Sequence, residues 1–392
     1  VMRTYQTSSG KLVGAIQYAF LIITPTTDQP ICVVVENGAE LENEFAERYQ
    51  LSIKTTYTSK RAMLEDDEDD FNTSDASNGE LYDAFWGALA AEIGDYEKVY
   101  FSPDGVYNQI NVQTLFNADT GKFLIEEWEV HVLGSLKDIL HSEEEEDMVK
   151  SKLAYLIGGP DYLAGAPKDY KGIPKIAYLP GAKQEVQEIE YLLKTNQWTV
   201  FAHYDAEATE EQVNEDLSAI KIPQLLHFST HGFFQEEDTL LKKRPMIKPP
   251  HPTQAVNPLL RSGLLLAGAE TSRIQQSAKQ RDGILTAYEV LNLSLLGTEL
   301  VTLSACETGL GVNKNGEGVY GLQRAFQIAG ASNVLMSMWK VPDKETKELM
   351  VHFYEYWLEM GDKRKAFRRA QQEMKDKYPE PFYWGAFVMI GR

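Results

Sequence analysis

Short apolar runs alternate along the chain with longer stretches of helical periodicity, the pattern of an α/β protein. β-branched and aromatic residues over 18–23 and 31–35 predict early strands. Residues 38–50 and 81–93 read as helices, and in the second Leu81, Phe85, Leu89 and Ile93 recur every four positions as one apolar stripe. Strands near 127–132 and 153–159 follow. A helix over 184–193 then puts Val186, Ile189, Leu192 and Leu193 on one face. A strand at 198–201 and a helix at 209–220, opened by a Thr-x-x-Gln cap, continue the βαβ rhythm of a parallel sheet. Three short apolar strands come next, at 224–229, 299–304 and 333–338, each followed by polar or glycine-rich residues. Central parallel strands read this way, with functional groups at their carboxyl ends. The helix from 343 to 360 carries a packing face of Leu349, Val351, Phe353, Tyr354 and Trp357.

Two acidic runs, 65–70 and 143–147, read as solvated loops, because like charges repel and nothing in them can bury. Hydrophobic residues make up 43% of the 392, enough for a substantial core. The net charge of −20 argues against a dedicated nucleic-acid binder, which needs a basic surface; it reads first as acidic solubility and is compatible with a protease that prefers basic substrates. A basic cluster, Lys363, Arg364, Lys365, Arg368 and Arg369, reads as a solvated helix face, with docking to an acidic partner or RNA as the alternative. Cys32 and Cys306 are the only cysteines, too few for a disulfide framework, so a reducing, cytoplasmic setting is expected. No apolar stretch is long enough to span a membrane. The chain opens on Val1, which is expected of a piece of a longer protein.

Two of the central strands run into reactive side chains. One continues into Ser229-Thr230-His231-Gly232 and the other into Ser304-Ala305-Cys306-Glu307-Thr308-Gly309. On neighbouring parallel strands His231 and Cys306 would emerge at one edge of the sheet. There an imidazole can take the proton of a thiol that is otherwise only a few per cent ionised at neutral pH. Gly232 allows a tight turn, and its N–H with that of Cys306 would form an oxyanion hole. His227 lies on the same strand and reads as a core histidine. The spacing of His227 and His231 falls on a strand with no HExxH motif, so no metal is expected.

The segment Ser304–Gly309 resembles the signature of the CHAT family of caspase-like proteases. Ser229–Gly232, the Gly316–Phe326 run, Asn257–Leu264, Asp282–Ala287, Trp339-x-Val341-x-Asp343 and the closing Tyr383–Val388 agree with it in order. The resemblance implies a caspase-like α/β/α sandwich with a largely parallel central sheet. It implies a degenerate first half, residues 1–150, and an active second half, 151–392. Carried over, His231 and Cys306 become the dyad of a cysteine endopeptidase acting through an acyl-enzyme, with Gly232 and Cys306 as oxyanion donors and no cofactor. The pair lies 75 residues apart, and an insertion between 235 and 282 is expected to flank the cleft. Asp343 is the leading candidate to face a basic P1 side chain, unless it simply caps the following helix. Glu307, Glu317 and Trp339 are further candidates for the specificity pocket. The family also implies an upstream helical-repeat region, an activating partner, a protein or peptide substrate, and roles in bacterial defence or cell death. Direct nucleic-acid or membrane binding is not expected. Two other readings share the fold: a non-catalytic interaction scaffold, and a thiol-dependent transpeptidase or acyltransferase.

Overall fold

A stripe that repeats every four residues cannot stay on one face of a regular α-helix, because each step overshoots by about 40°. The computed structural model shows how the chain meets this demand. It describes all residues except 9–10, 54–74, 142–150, 168–169, 171, 173–175, 220–221, 235–256, 276–280, 306–311 and 315–317. Helix α1 (Asp75–Tyr82) passes into a π-helical turn, Asp83–Gly87, before α2 (Ala88–Ile93). The wider turn absorbs the drift, so Leu81, Phe85, Leu89 and Ile93 are all buried. A second π-helical turn, Leu41–Phe45, interrupts the helix expected over 38–50.

The chain divides into two units. The first comprises Val1–Asp138, Asn313–Gly318 and Gln371–Ala386. It holds an antiparallel sheet of β1 (Met2–Ser8), β2 (Lys11–Ile22) and β3 (Ile31–Val35), and a parallel pair of β4 (Lys98–Phe101) and β5 (Glu129–Val132). Its core is aromatic: Tyr107 meets Tyr18, Phe20 and Phe85 edge-on at 5.3–5.6 Å between ring centroids.

The second unit comprises Ile139–Val312, Val319–Ala370 and Phe387–Arg392. In chain order it contributes β6 (Leu153–Pro160), α3 (Pro180–Thr195), β7 (Thr199–Asp205), α4 (Glu210–Ala219) and β8 (Leu225–Ser229). There follow β9 (Gly232–Phe234), β10 (Ser262–Leu265), β11 (Ile284–Thr286), β12 (Leu300–Ser304) and α5 (Leu322–Ile328). The last elements are β13 (Asn333–Ser337), α6 (Asp343–Met360), the first half of α7 (Lys363–Lys377) and β14 (Phe387–Gly391). Its main strands lie side by side in the order β14-β13-β12-β8-β6-β7, parallel except for the antiparallel β13–β14 pair. Strands β9, β10 and β11 form a small antiparallel sheet of their own. The expected architecture, an α/β sandwich around a largely parallel sheet, is therefore the one observed. Every residue of β6, β8, β12, β13 and β14 is buried, which explains why these strands read as unbroken apolar runs.

One polar string runs through this core. His227 on β8 is fully buried; its Nε2 lies 2.8 Å from Glu185 Oε1 on α3 and its Nδ1 lies 2.9 Å from Tyr354 Oη on α6. Tyr354 Oη in turn lies 2.9 Å from Thr302 Oγ1 on β12, the register partner of His227. Burial holds the Tyr354 hydroxyl far above its ordinary pKa, so it stays a neutral phenol that can donate and accept. Replacing Tyr354 with Phe would strand His227 Nδ1 and Thr302 Oγ1 without their shared partner. The expected loss is about 1–3 kcal/mol of stability, read as a lower midpoint in urea unfolding with an unchanged slope.

Candidate functional site

Strands that run parallel end together, and here β8, β12 and β13 end in Ser229, Ser304 and Ser337. These hydroxyl residues line a shallow open cleft, walled by Glu185 from α3 and by Trp339 and Asp343 from the β13–α6 connection. Phe387, the first residue of β14, lines it too. The hydroxyls differ in state. Ser337 Oγ donates to the Ala305 carbonyl at 2.5 Å, whereas Ser304 Oγ is buried with no hydrogen-bond partner among the described residues.

Asp343 is the first helical residue of α6; the N-cap position belongs to Pro342, and no side chain caps the helix. Asp343 is thus an acid of the first turn rather than the N-cap, and it is one of the residues that line the cleft. Burial pushes its pKa up and Glu185 adds to the rise, while His231 and Lys340 oppose both. The approach is tight because Gly181 on α3 has no side chain: a Cβ there would sit 2.7 Å from Asp343 Cβ. Glu185 stands one turn further along the same helix, with Ile189 and Leu193 on the buried stripe. That polar residue at an apolar position was the legible sign of the site, and the sequence reading passed over it.

His231 follows β8 and is held on two sides. Its backbone N–H donates to Tyr162 Oη at 3.3 Å, and the Tyr162 ring packs 5.4 Å from the imidazole. Its Nε2 lies 2.8 Å from the Ala177 carbonyl, which can only accept, so this nitrogen carries the proton. Burial lowers the His231 pKa, and the ring is neutral at neutral pH. Gly232 opens β9 opposite Leu264. Cys306, Glu307 and Glu317 lie outside the described residues, as do the acidic runs and much of the 235–282 insertion. The basic cluster on α7 is engaged within its own unit. Lys363 pairs with Glu299 at 3.2 Å, Arg364 donates to Asn333 and the Gly391 carbonyl, and Arg369 lies over Tyr356 and beside Glu359.

Residues 75–392 match the CHAT domain family. The chain belongs to that family. Tetratricopeptide repeat protein 28 of Homo sapiens is 27% identical to this CHAT domain over 228 residues, covering 54% of the chain but only 8% of the human protein. Its Mus musculus counterpart is 26% identical over 196 residues, 47% of the chain and again 8% of that protein. Among solved structures, the Arg-specific cysteine proteinase gingipain R aligns over 90% of this chain and 74% of its own at 12% identity, with a TM-score of 0.46. The Saccharomyces cerevisiae separase–securin complex aligns over 95% of this chain and 21% of its own at 12% identity, with a TM-score of 0.42.

The cysteine-endopeptidase reading is corrected. Among the described residues the one cysteine is Cys32, exposed on β3 in the first unit, and no histidine is bonded to it. No group of three or more His, Cys, Asp or Glu among those residues is placed to hold a metal ion. The Nε2 proton of His231 is committed to a backbone carbonyl. The Cys–His dyad, the acyl-enzyme built on it and the hydrolytic activity all relied on Cys306, for which the described structure supplies no partner geometry. They are withdrawn in favour of the scaffold alternative. Likewise, no helix among the described residues is long and apolar enough to cross a membrane.

The Asp343 carboxyl gives a direct check. A raised pKa means that the folded chain holds this proton more firmly than the unfolded chain, so the associated stability is present at acid pH and lost as pH climbs through the folded value. Asp343→Asn is therefore expected to raise the unfolding midpoint at neutral pH and to have no effect well below the ordinary carboxylate range. Thermal melts across pH would show the two curves converging in acid.

Proposed function

We propose that this CHAT domain is a non-catalytic interaction module whose cleft takes a basic side chain from a protein or peptide partner. The observation that carries the reading is Asp343, an exposed carboxylate on the cleft wall with no ion pair among the described residues and a pKa raised by partial desolvation. Such a group is held at a cost that an incoming cation removes, by pairing with it where water is partly excluded. Trp339 beside it offers a flat apolar surface to the methylenes of a long cationic side chain. The net charge of −20 favours encounter with basic partners at long range.

The relatives named for tetratricopeptide repeats support a setting in which this module works beside a helical-repeat region. An exposed, unpaired Cys32 fits a reducing compartment such as the cytoplasm.

Fluorescence anisotropy with a labelled peptide library separates this reading from its rivals. Peptides carrying arginine or lysine should bind, and norleucine in the same position should not. Asp343→Asn should weaken the basic peptides at least tenfold, about 1.4 kcal/mol. Cys306→Ala should leave binding within about twofold, since a scaffold has no use for the thiol. Affinity should climb with pH as Asp343 ionises. Equal binding of norleucine and arginine peptides would overturn the proposal.

A further inference from the structure

Away from the cleft, the first residue of α4 is an acid almost shut off from water. Glu210 is 3% exposed, and its Oε2 has no hydrogen-bond partner among the described residues. The Gly283 N–H donates to this carboxyl. The charges that face it are Glu289 and Asp282, both negative, and Arg281, which opposes them. Arg281 is itself shared with Glu211 at 3.3 Å and Glu215 at 3.9 Å on α4. The first turn of a helix ordinarily favours an ionised acid. Here Thr209 Oγ1 already accepts from the Gln212 N–H at 3.0 Å, and burial beside two like charges outweighs what remains of that preference.

Neither acidic neighbour is free to turn away. Asp282 Oδ1 accepts from the Ile284 N–H at 3.0 Å, and Glu289 Oε2 accepts from the Thr286 N–H at 2.8 Å and the Thr286 hydroxyl at 2.6 Å. Burial raises the Asp282 pKa as well, but its backbone donor works against the rise. Glu210, with one backbone donor and a bare second oxygen, is the member of the three that a proton fits best.

The carboxyl sits on a junction of backbone bonds. Gly283 has φ +82°, and a Cβ there would lie 2.7 Å from Ala269 N and 2.8 Å from Ala267 O, so this turn packs as closely as only a glycine allows. The Gly283 carbonyl accepts from the Leu266 N–H at 2.7 Å, and the Ala267 N–H donates to the Ala208 carbonyl at 2.9 Å. Next to them the Leu265 N–H donates to the His231 carbonyl at 2.9 Å. The start of α4 is thereby tied through the turn at 281–283 to the small β9–β10–β11 sheet.

We propose that a proton held by Glu210 latches the turn at 281–283 to the start of α4, making the β9–β10–β11 sheet a pH-sensitive element of the second unit. An ionised Glu210 adds a third negative charge to the junction with only the shared Arg281 to balance it, and the turn opens to admit water. Burial and the two acids push the Glu210 pKa up to about 8, from an ordinary value of 4.5. The latch is therefore at full strength below that ordinary value, weakens as pH climbs, and levels off above about 8. The inference is independent of what the cleft binds.

Hydrogen–deuterium exchange of the full chain across pH, corrected for the intrinsic rate of each amide, reads the opening of residues 281–290. In wild type that opening should rise about tenfold per pH unit from about pH 5.5 to about 7.5 and flatten above about 8. Glu210→Gln, whose side-chain oxygen can still accept from Gly283, should change less than about twofold over the same span. Glu289→Gln, which removes the like charge that acts on Glu210 most strongly, should end the rise at lower pH. A flat wild-type profile overturns the proposal, as does a Glu210→Gln profile as steep as wild type. A slope that survives in Glu210→Gln and vanishes in Asp282→Asn gives the proton to Asp282 and overturns it too. If Glu210→Gln fails to fold, Glu289→Gln decides, and a rise that ends where it does in wild type sinks the idea. Millimolar calcium that restores at alkaline pH the protection seen in acid would mean that the junction takes a metal ion, and the latch as drawn would be wrong.

Discussion

A histidine with no solvent must find a partner for each nitrogen, and His227 finds them on two different helices. Glu185 on α3 takes one side and Tyr354 on α6 the other, with Thr302 of the neighbouring strand completing the string. The four residues come from β8, α3, α6 and β12, so a single chain of hydrogen bonds ties two strands of the sheet to the two helices packed on them. An unmet polar group at this depth is costly, and the arrangement tolerates little sliding of either helix. Fixing α3 against α6 fixes Gly181 against Asp343 and brings Glu185 to the wall of the cleft. The geometry of the site is thus set from inside the core.

The strands of the second unit were legible because burial on both faces writes a plain signal: 224–229, 299–304 and 333–338 stand out as apolar runs and appear as strands within a residue or so. The helix at 81–93 was legible in kind, but its stripe of period four concealed a π-helical turn that only packing reveals. In the site, Asp343 and Trp339 were read in sequence as pocket residues, and both line the cleft. Glu185 was missed because helical periodicity was scored for apolar residues alone, and Ser304 was seen only as the neighbour of Cys306. The peptidase reading went furthest astray. It treated a sequence resemblance around Cys306 as if it were a geometry.

Family membership and fold constrain this CHAT domain unequally. A family and a fold do not by themselves fix chemistry, which depends on the placement of a few atoms. A cleft at the carboxyl ends of parallel strands is a common inheritance of open α/β sheets. What is particular to this chain is the uneven treatment of its polar groups. The core string is satisfied at every link, whereas Asp343 and Ser304 at the cleft have no side-chain partner among the described residues.

The wall residues also carry a kinetic consequence. Glu185 and Phe387 border the same small space, yet some two hundred positions of polypeptide separate them. During synthesis the cavity cannot close until the final antiparallel strand has emerged from the ribosome and added itself beside β13. Until then the carboxyl-end surface of the sheet stands open to water and to chaperones. A nascent chain that has already buried His227 would still lack a finished cleft, so assembly of the core and closure of the cleft are separated in time.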